Sequence, residues 1–355
     1  NNSFSGGLDI QQGSVVVNSP TALGTGGVNL SGAGTFLILD YNGSGNAALA
    51  NAISGQGALV KDGSGTVVIN AGGNSYTGGT AINAGRLGLN FGDGLGTGGV
   101  TINSGAELAI GNIAVTNTLT GTGRVVKTAS GTGTLSGANT FSGGIDIQGG
   151  NLFVASTGSL GNGAISTASG TALTLGNTAN QTLSNALTGA GALVKSGSGD
   201  LTVTANALTG GTTISAGRLL ATGGATGIGS GAVAVSSGAE LVYTAPANST
   251  FSNAISGAGT LRKLGAGQLL FGNPFTIGAL AVDAGSVRLN ATLTGNASVA
   301  TGARMDGTGR VIGNLTNNGT TAPGNSIGTL NVQGNYVHSA GSVLDPMVAI
   351  RYRIT

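Results

Sequence analysis

Residues 53–61 read ISGQGALVK, and the phrase returns as LTGTGRVVK at 119–127, LTGAGALVK at 187–195 and ISGAGTLRK at 255–263. The closing residues are Lys61, Lys127, Lys195 and Lys263, at steps of 66, 68 and 68 residues. So regular a step means one structural unit copied along an axis. Between the lysines two further phrases recur. SYTGGTAINAGRL at 75–87 returns as TFSGGIDIQGGNL at 140–152 and ALTGGTTISAGRL at 207–219, with a forerunner, SFSGGLDIQQGSV, at 3–15. GTGGVTINSGAEL at 96–108 returns as GSGAVAVSSGAEL at 229–241. Three phrases per step give each about 22 residues, the length of one coil of a β-solenoid.

Within a phrase the period is two. Val67-Val68-Ile69, Thr80-Ala81-Ile82-Asn83 and Val100-Thr101-Ile102-Asn103 alternate an inward and an outward side chain. The runs stop at Gly-Ser-Gly, Asn-Ala-Gly or Ser-Gly-Ala turns. No stretch carries a sustained helical stripe, and each Gly in a helix costs about 1 kcal/mol against Ala. The expectation is an all-β, single-stranded parallel β-helix with almost no α-helix. Roughly 16 coils at about 4.8 Å would give a rod on the order of 75 Å.

Composition agrees. Of 355 residues, 71 are Gly, without the third-residue rule of collagen, and with 39% hydrophobic and 7% charged residues the chain is not a charge-driven disordered segment. Thirteen basic and 11 acidic residues give a net charge of +2 with no basic cluster, which excludes a nucleic-acid partner. No Cys is present, so disulfides and thiolate metal sites are excluded. The chain shows no signal peptide and no apolar run long enough to span a membrane. It opens at Asn1 already inside a phrase and reads as an internal fragment. The organisation expected is a β-helical stem over 1–289, a looser C-terminal cap over 290–345, and a linker or appended tail over 346–355.

Stacking fixes neighbours. Placing Leu87 on Leu108 sets Arg86 beside Glu107, and placing Leu219 on Leu241 sets Arg218 beside Glu240; both read as cross-coil ion pairs, each worth under about 1 kcal/mol when exposed. The four lysines read as a column, copies about 14 Å apart after three coils. A polyanionic glycan could bridge such a column, or each Lys could simply solvate a strand end. The bulky residue before the paired glycines (Phe4, Tyr76, Phe141, Phe275, with Leu208 in one copy) is expected to fill a core corner, the alternative being an exposed sugar-stacking column. Loops around Tyr41, Phe91 and Tyr243 are candidate binding loops.

Catalytic chemistry is not legible. The one His, His338, is expected to point outward near the end, with no triad around it. The acids are spread one per coil or fewer, and Asp9, Asp146 and Asp283 lie too far apart to cooperate as a glycosidase pair or calcium site. No Gly-x-Gly opens a helix, so there is no dinucleotide fingerprint. No enzyme activity, cofactor or metal is expected.

The phrases resemble the passenger-associated β-strand repeat of autotransporters, the type V secreted proteins of Gram-negative bacteria. The resemblance is carried by G-x-L-x-K-x-G-S-G at Gly57–Gly65 and Gly191–Gly199, by Tyr/Phe-Thr/Ser-Gly-Gly-Thr…Ala-Gly-Arg-Leu, and by APGNSIGTLNVQGNY at 322–336. It implies a right-handed parallel β-helix, exported across the periplasm and through an outer-membrane β-barrel and displayed at the cell surface, with 290–345 as an autochaperone-like folding seed. The function expected is a structural stem supporting adhesion, self-association or host interaction of the virulence type. The alternatives are a specific binder of one soluble host protein through coil loops and, remotely, a glycan-acting β-helix enzyme.

Overall fold

A strand with one apolar side and three to five residues cannot bury that side alone, so it must be stacked on copies of itself. In the computed structural model, which describes residues 2–324 and 328–345, with only the backbone at 225–226 and 351–352, the result is an all-parallel β-solenoid. Among the described residues there is no α-helix. The helical segments are three 3₁₀ turns, Pro20–Leu23, Thr157–Leu160 and Gly224–Gly227. The coil averages about 20 residues rather than 22, and single coils vary. Leu87 sits on Val67 below and Leu108 above, whereas the next step, to Val125, is shorter.

The chain forms two compact units, residues 1–174 with 185–188, and residues 175–184 with 189–355. In the first, one sheet stacks Leu59, Thr80, Val100 and Leu119, and a second stacks Val67, Leu87, Leu108, Val125, Ile145 and Ile165. A third begins with Leu8 on Val28 on Ile53. These inward side chains are 0–3% exposed except Leu8 and Thr80, and full burial of each Leu, Ile or Val contributes about 1.5–3 kcal/mol. In the second unit Leu201, Leu219, Leu241, Leu261 and Leu280 stack on one sheet, and Leu269, Val287 and Met305 on another. Two strands of this unit, Phe275–Val282 and Thr292–Val299, run eight residues each. The expected tail, 346–355, lies outside the described residues apart from the backbone at 351–352.

The phrase glycines are fixed by the stacking. Gly55, Gly121 and Gly257 adopt φ of 101°, 97° and 126°. A Cβ on any of them would collide with a carbonyl of the coil below, that of Leu30, Ile102 or Val235.

Candidate functional site

The alternation that turns Leu59 inward turns Lys61 inward too, and the same holds in every copy. All four phrase lysines are 0% exposed. They are therefore not a surface column, and no polyanion can reach them. Nor do they stack. Three coils carry the chain from Lys61 through Ile82 and Ile102 only to Gly121, so Lys127 lies on the next sheet, in line with Ile110 and Ile147. In the second unit Lys195 and Lys263 likewise stand on different sheets. The 66–68-residue repeat exceeds three coils by about a third of a coil, so within each unit the second copy falls on a different face from the first.

Each ammonium ends in a carbonyl cage at a corner. Lys61 Nζ donates to the carbonyls of Asp62 (2.6 Å), Gly63 (2.8 Å) and, one coil on, Ala84 (3.2 Å). Lys127 Nζ donates to Ala129 O, to Gly149 O at 3.2 Å and to Asn112 Oδ1 at 3.4 Å. Lys195 Nζ reaches Gly197 O and Ala216 O, the latter at 3.2 Å. Lys263 Nζ reaches Gly265 O (2.6 Å), Gly267 O (2.5 Å) and Ala284 O (2.9 Å). Burial holds all four below the ordinary lysine pKa; at Lys61 the carboxylates of Asp62 and Asp40 oppose it.

On the outer faces charge is paired across coils. Arg86 is in register with Glu107, and the side chains meet at 2.6 Å; Arg124, on the coil above, donates to the same carboxylate through Nε at 2.8 Å. Arg218 is in register with Glu240, but its ion pair is with Asp200 on the coil below, at 2.5 Å. Glu240 is taken instead by Arg262, which also bridges to Asp283. Glu240 thus has an arginine on each neighbouring coil, and the shorter Asp200 claims Arg218.

The aromatic positions are core. Tyr76, Phe141 and Leu208 are 0% exposed and Phe275 is 6%, whereas Phe4, in the first coil, is 42% exposed. Burial pushes the Tyr76 phenol above its ordinary pKa, against the hydrogen bond to Thr80. Tyr243 is not a loop residue. It is fully buried, 5.3 Å from the Phe251 ring, and Phe251 continues through Phe271 (5.4 Å) to Phe275 (4.6 Å) in an internal aromatic ladder.

One recurring residue escapes the phrase reading. Asn51, Asn117, Asn185 and Asn253 each donate Nδ2 to two carbonyls of the coil below: Gly24 and Gly26, Gly96 and Gly98, Gly161 and Gly163, Gly229 and Gly231, all at 2.6–3.2 Å. The signal was present, because each phrase extends two residues upstream as Asn-Ala-Ile, Asn-Thr-Leu, Asn-Ala-Leu and Asn-Ala-Ile.

Open concave surface occurs in the first unit. A groove of about 360 Å³ is lined by Asn74, Gly92, Asp93, Thr97, Thr116 and Asn117 among others, next to Phe91, which is 45% exposed. A second, of about 420 Å³, runs over Gly6, Gly7, Asp9, Asn29 and Ser54. There Asn29 and Ser31 donate to Asp9 Oδ1 and Gln11 to Oδ2; these bonds hold the Asp9 carboxyl below the usual range. Tyr41 is half-buried, in a turn whose Asn42 donates to Asp40. His338 is exposed, with Ser342 Oγ 2.9 Å from Nδ1. Among the described residues no three His, Asp or Glu side chains gather as a metal site.

What the geometry defines is a class, an all-parallel β-solenoid whose sequence repeat spans a little over three coils. A family model described as Passenger-associated-transport-repeat matches residues 1–17, 59–89, 125–152 and 193–221. Each of the last three stretches opens one residue inside the strand that carries a caged lysine and ends beyond the turn above it. The chain carries passenger-associated transport repeats, which are typical of autotransporter passenger domains, on a β-solenoid. That class implies a translocator barrel and secretion or surface display in a Gram-negative bacterium. No curated protein and no solved structure gives a match.

Proposed function

We propose that this passenger is a non-catalytic stem that supports adhesion or self-association through many weak contacts on its faces. The observation that carries the reading is the outward polar column repeated coil after coil. Asn83 donates to Asp62 at 2.8 Å and Asn103 to Asn83 at 2.7 Å, and Thr101 and Thr120 hydroxyls meet at 3.2 Å. Stacked amides and hydroxyls, with the Asp62 carboxylate among them, present a regular hydrogen-bonding surface, and linked weak sites gain avidity without any single strong contact. Cells displaying the passenger should clump, and replacing Asn83, Thr101 and Asn103 together by Glu should abolish clumping while the circular dichroism stays that of β-structure. Clumping that survives the triple variant removes the reading.

A second reading, capture of one soluble host protein, is favoured by the exposed Phe91 beside the 360 Å³ groove. It expects one-to-one capture from serum, lost in Phe91→Ala and unmoved by the face variants. Residues 290–345 are read as the folding seed. The support is the Asp306 carboxylate, 5% exposed, held by Arg288 at 2.7 Å and Arg304 at 3.4 Å.

A further inference from the structure

Coils that look alike can stack in the wrong order. A slip by one coil would place the strand Ala58–Asp62 under Val100–Ile102 instead of under Thr80–Ile82. The in–out alternation is the same in both partners, so Leu59 would face Val100 rather than Thr80, and apolar patterning alone does not forbid the exchange. A chain of near-identical coils needs a second signal.

We propose that each caged lysine is a register key, a two-coil lock that accepts only its own neighbour coil. The upper half of every cage is one kind of turn. Ala84, Gly149, Ala216 and Ala284 supply the carbonyl above the ammonium, and each is followed by a glycine at φ 62–65°: Gly85, Gly150, Gly217 and Gly285. Only a positive φ lets the chain reverse there and leave that carbonyl aimed down at the ammonium. The turns of the intervening coils also carry a positive-φ glycine, Gly105, Gly170 or Gly238, but differ in that each closes on itself, through Ala106 N to Asn103 O, Thr171 N to Ala168 O and Ala239 N to Ser236 O. A slipped coil would therefore cover a fully buried ammonium with a self-closed turn. The slip takes away the one acceptor that the upper coil supplies, and an under-bonded buried charge is unfavourable, whereas an apolar side chain of similar volume in the same place is tolerated. Buried polar groups that fix register in this way are best attested in coiled coils. The fourth cage, at Lys263 and Ala284, has the full geometry although it lies beyond the family-matched stretches. The turn, not the wider sequence similarity, completes the lock.

The test reads register directly in a chain that has no Cys of its own. Val60 and Ala81 are opposite each other on adjacent strands, about 4.8 Å apart, while Val60 and Thr101 are two strands apart at about twice that. Only the first pair lies within the Cα window of about 4.4–6.8 Å for a disulfide. The pair V60C/A81C therefore reports the native stack and V60C/T101C the slipped one, after the full chain is refolded from urea and oxidised. With Lys61 present the slipped disulfide should be at background. In Lys61→Met it should rise at least tenfold while β-structure content is unchanged. The same pattern is expected at Lys127→Met, with V126C/D146C as native reporter and V126C/S166C as slipped reporter. Met variants that fold and give no slipped disulfide overturn the proposal. Met variants that fail to regain β-structure also overturn it, because the lysine would then be a stability determinant and not a register key.

Discussion

Phe271→Ala tests whether the interior of the second unit is packed as tightly as its aromatic ladder implies. Phe271 is 2% exposed and sits between Phe251, 5.4 Å away at 26°, and Phe275, 4.6 Å away at 24°. Truncating a buried Phe to Ala costs about 3–5 kcal/mol through lost transfer free energy and the cavity left behind. Each ring pair adds about 0.5–1.5 kcal/mol beyond area. With two pairs broken the upper end is expected, about 4–5 kcal/mol. Phe271→Leu keeps most of the volume and loses the ring pairs, so it should cost about 1–2 kcal/mol. The assay is urea denaturation of both variants, with the m-value checked for constancy. Amide exchange should place the weakening in coils next to Phe271, since solenoid stability is a sum of nearest-neighbour terms. A loss below about 1.5 kcal/mol for the Ala variant, or equal losses for Ala and Leu, would refute the close-packed ladder.

Three other outcomes are expected. At Glu107 burial raises the carboxyl pKa, but Arg124 and Arg86 together outweigh it and the net direction is down. Stability from this group is therefore present above the unfolded value of about 4.3 and is lost as pH falls through the lower folded value. Glu107→Gln should flatten the melting temperature against pH in that acid window, and an unchanged slope would show that the cluster contributes nothing. Gly121→Ala must strain a φ of 97° and meet the Ile102 carbonyl, whereas Gly105→Ala, at φ 77°, meets open space. The first should lose at least about 2 kcal/mol and the second about 1 in urea denaturation; equal losses would mean that the contact is irrelevant. Asp306→Asn should slow refolding by several-fold if 290–345 folds first, and a change confined to the unfolding rate would place it late.

Much of the fold was readable because stacking is a local rule repeated. Alternation over Thr80–Ile82 and Val100–Ile102 gave the inward side, and aligning Leu87 with Leu108 gave a register that sets Arg86 on Glu107. Partner choice was less readable. Arg218 has an acid in register on the coil on either side, so register alone does not say that its ion pair is with Asp200. Tyr243 read as a loop residue because Thr244-Ala245-Pro246 follows it; it is instead part of the strand Glu240–Thr244, turned inward to pack on Phe251 further along the same coil.

The sequence by itself determined that this protein is a stack of short parallel strands, since a two-residue period with glycine turns at a fixed step has no other way to bury its apolar side. Tertiary structure alone decided where the repeated lysines point. Their spacing is set by the copied unit and the faces by the coil, and the two lengths differ by a fraction of a turn. Only the wound chain shows that the ammonium groups point inward, each beneath a turn some twenty residues further along.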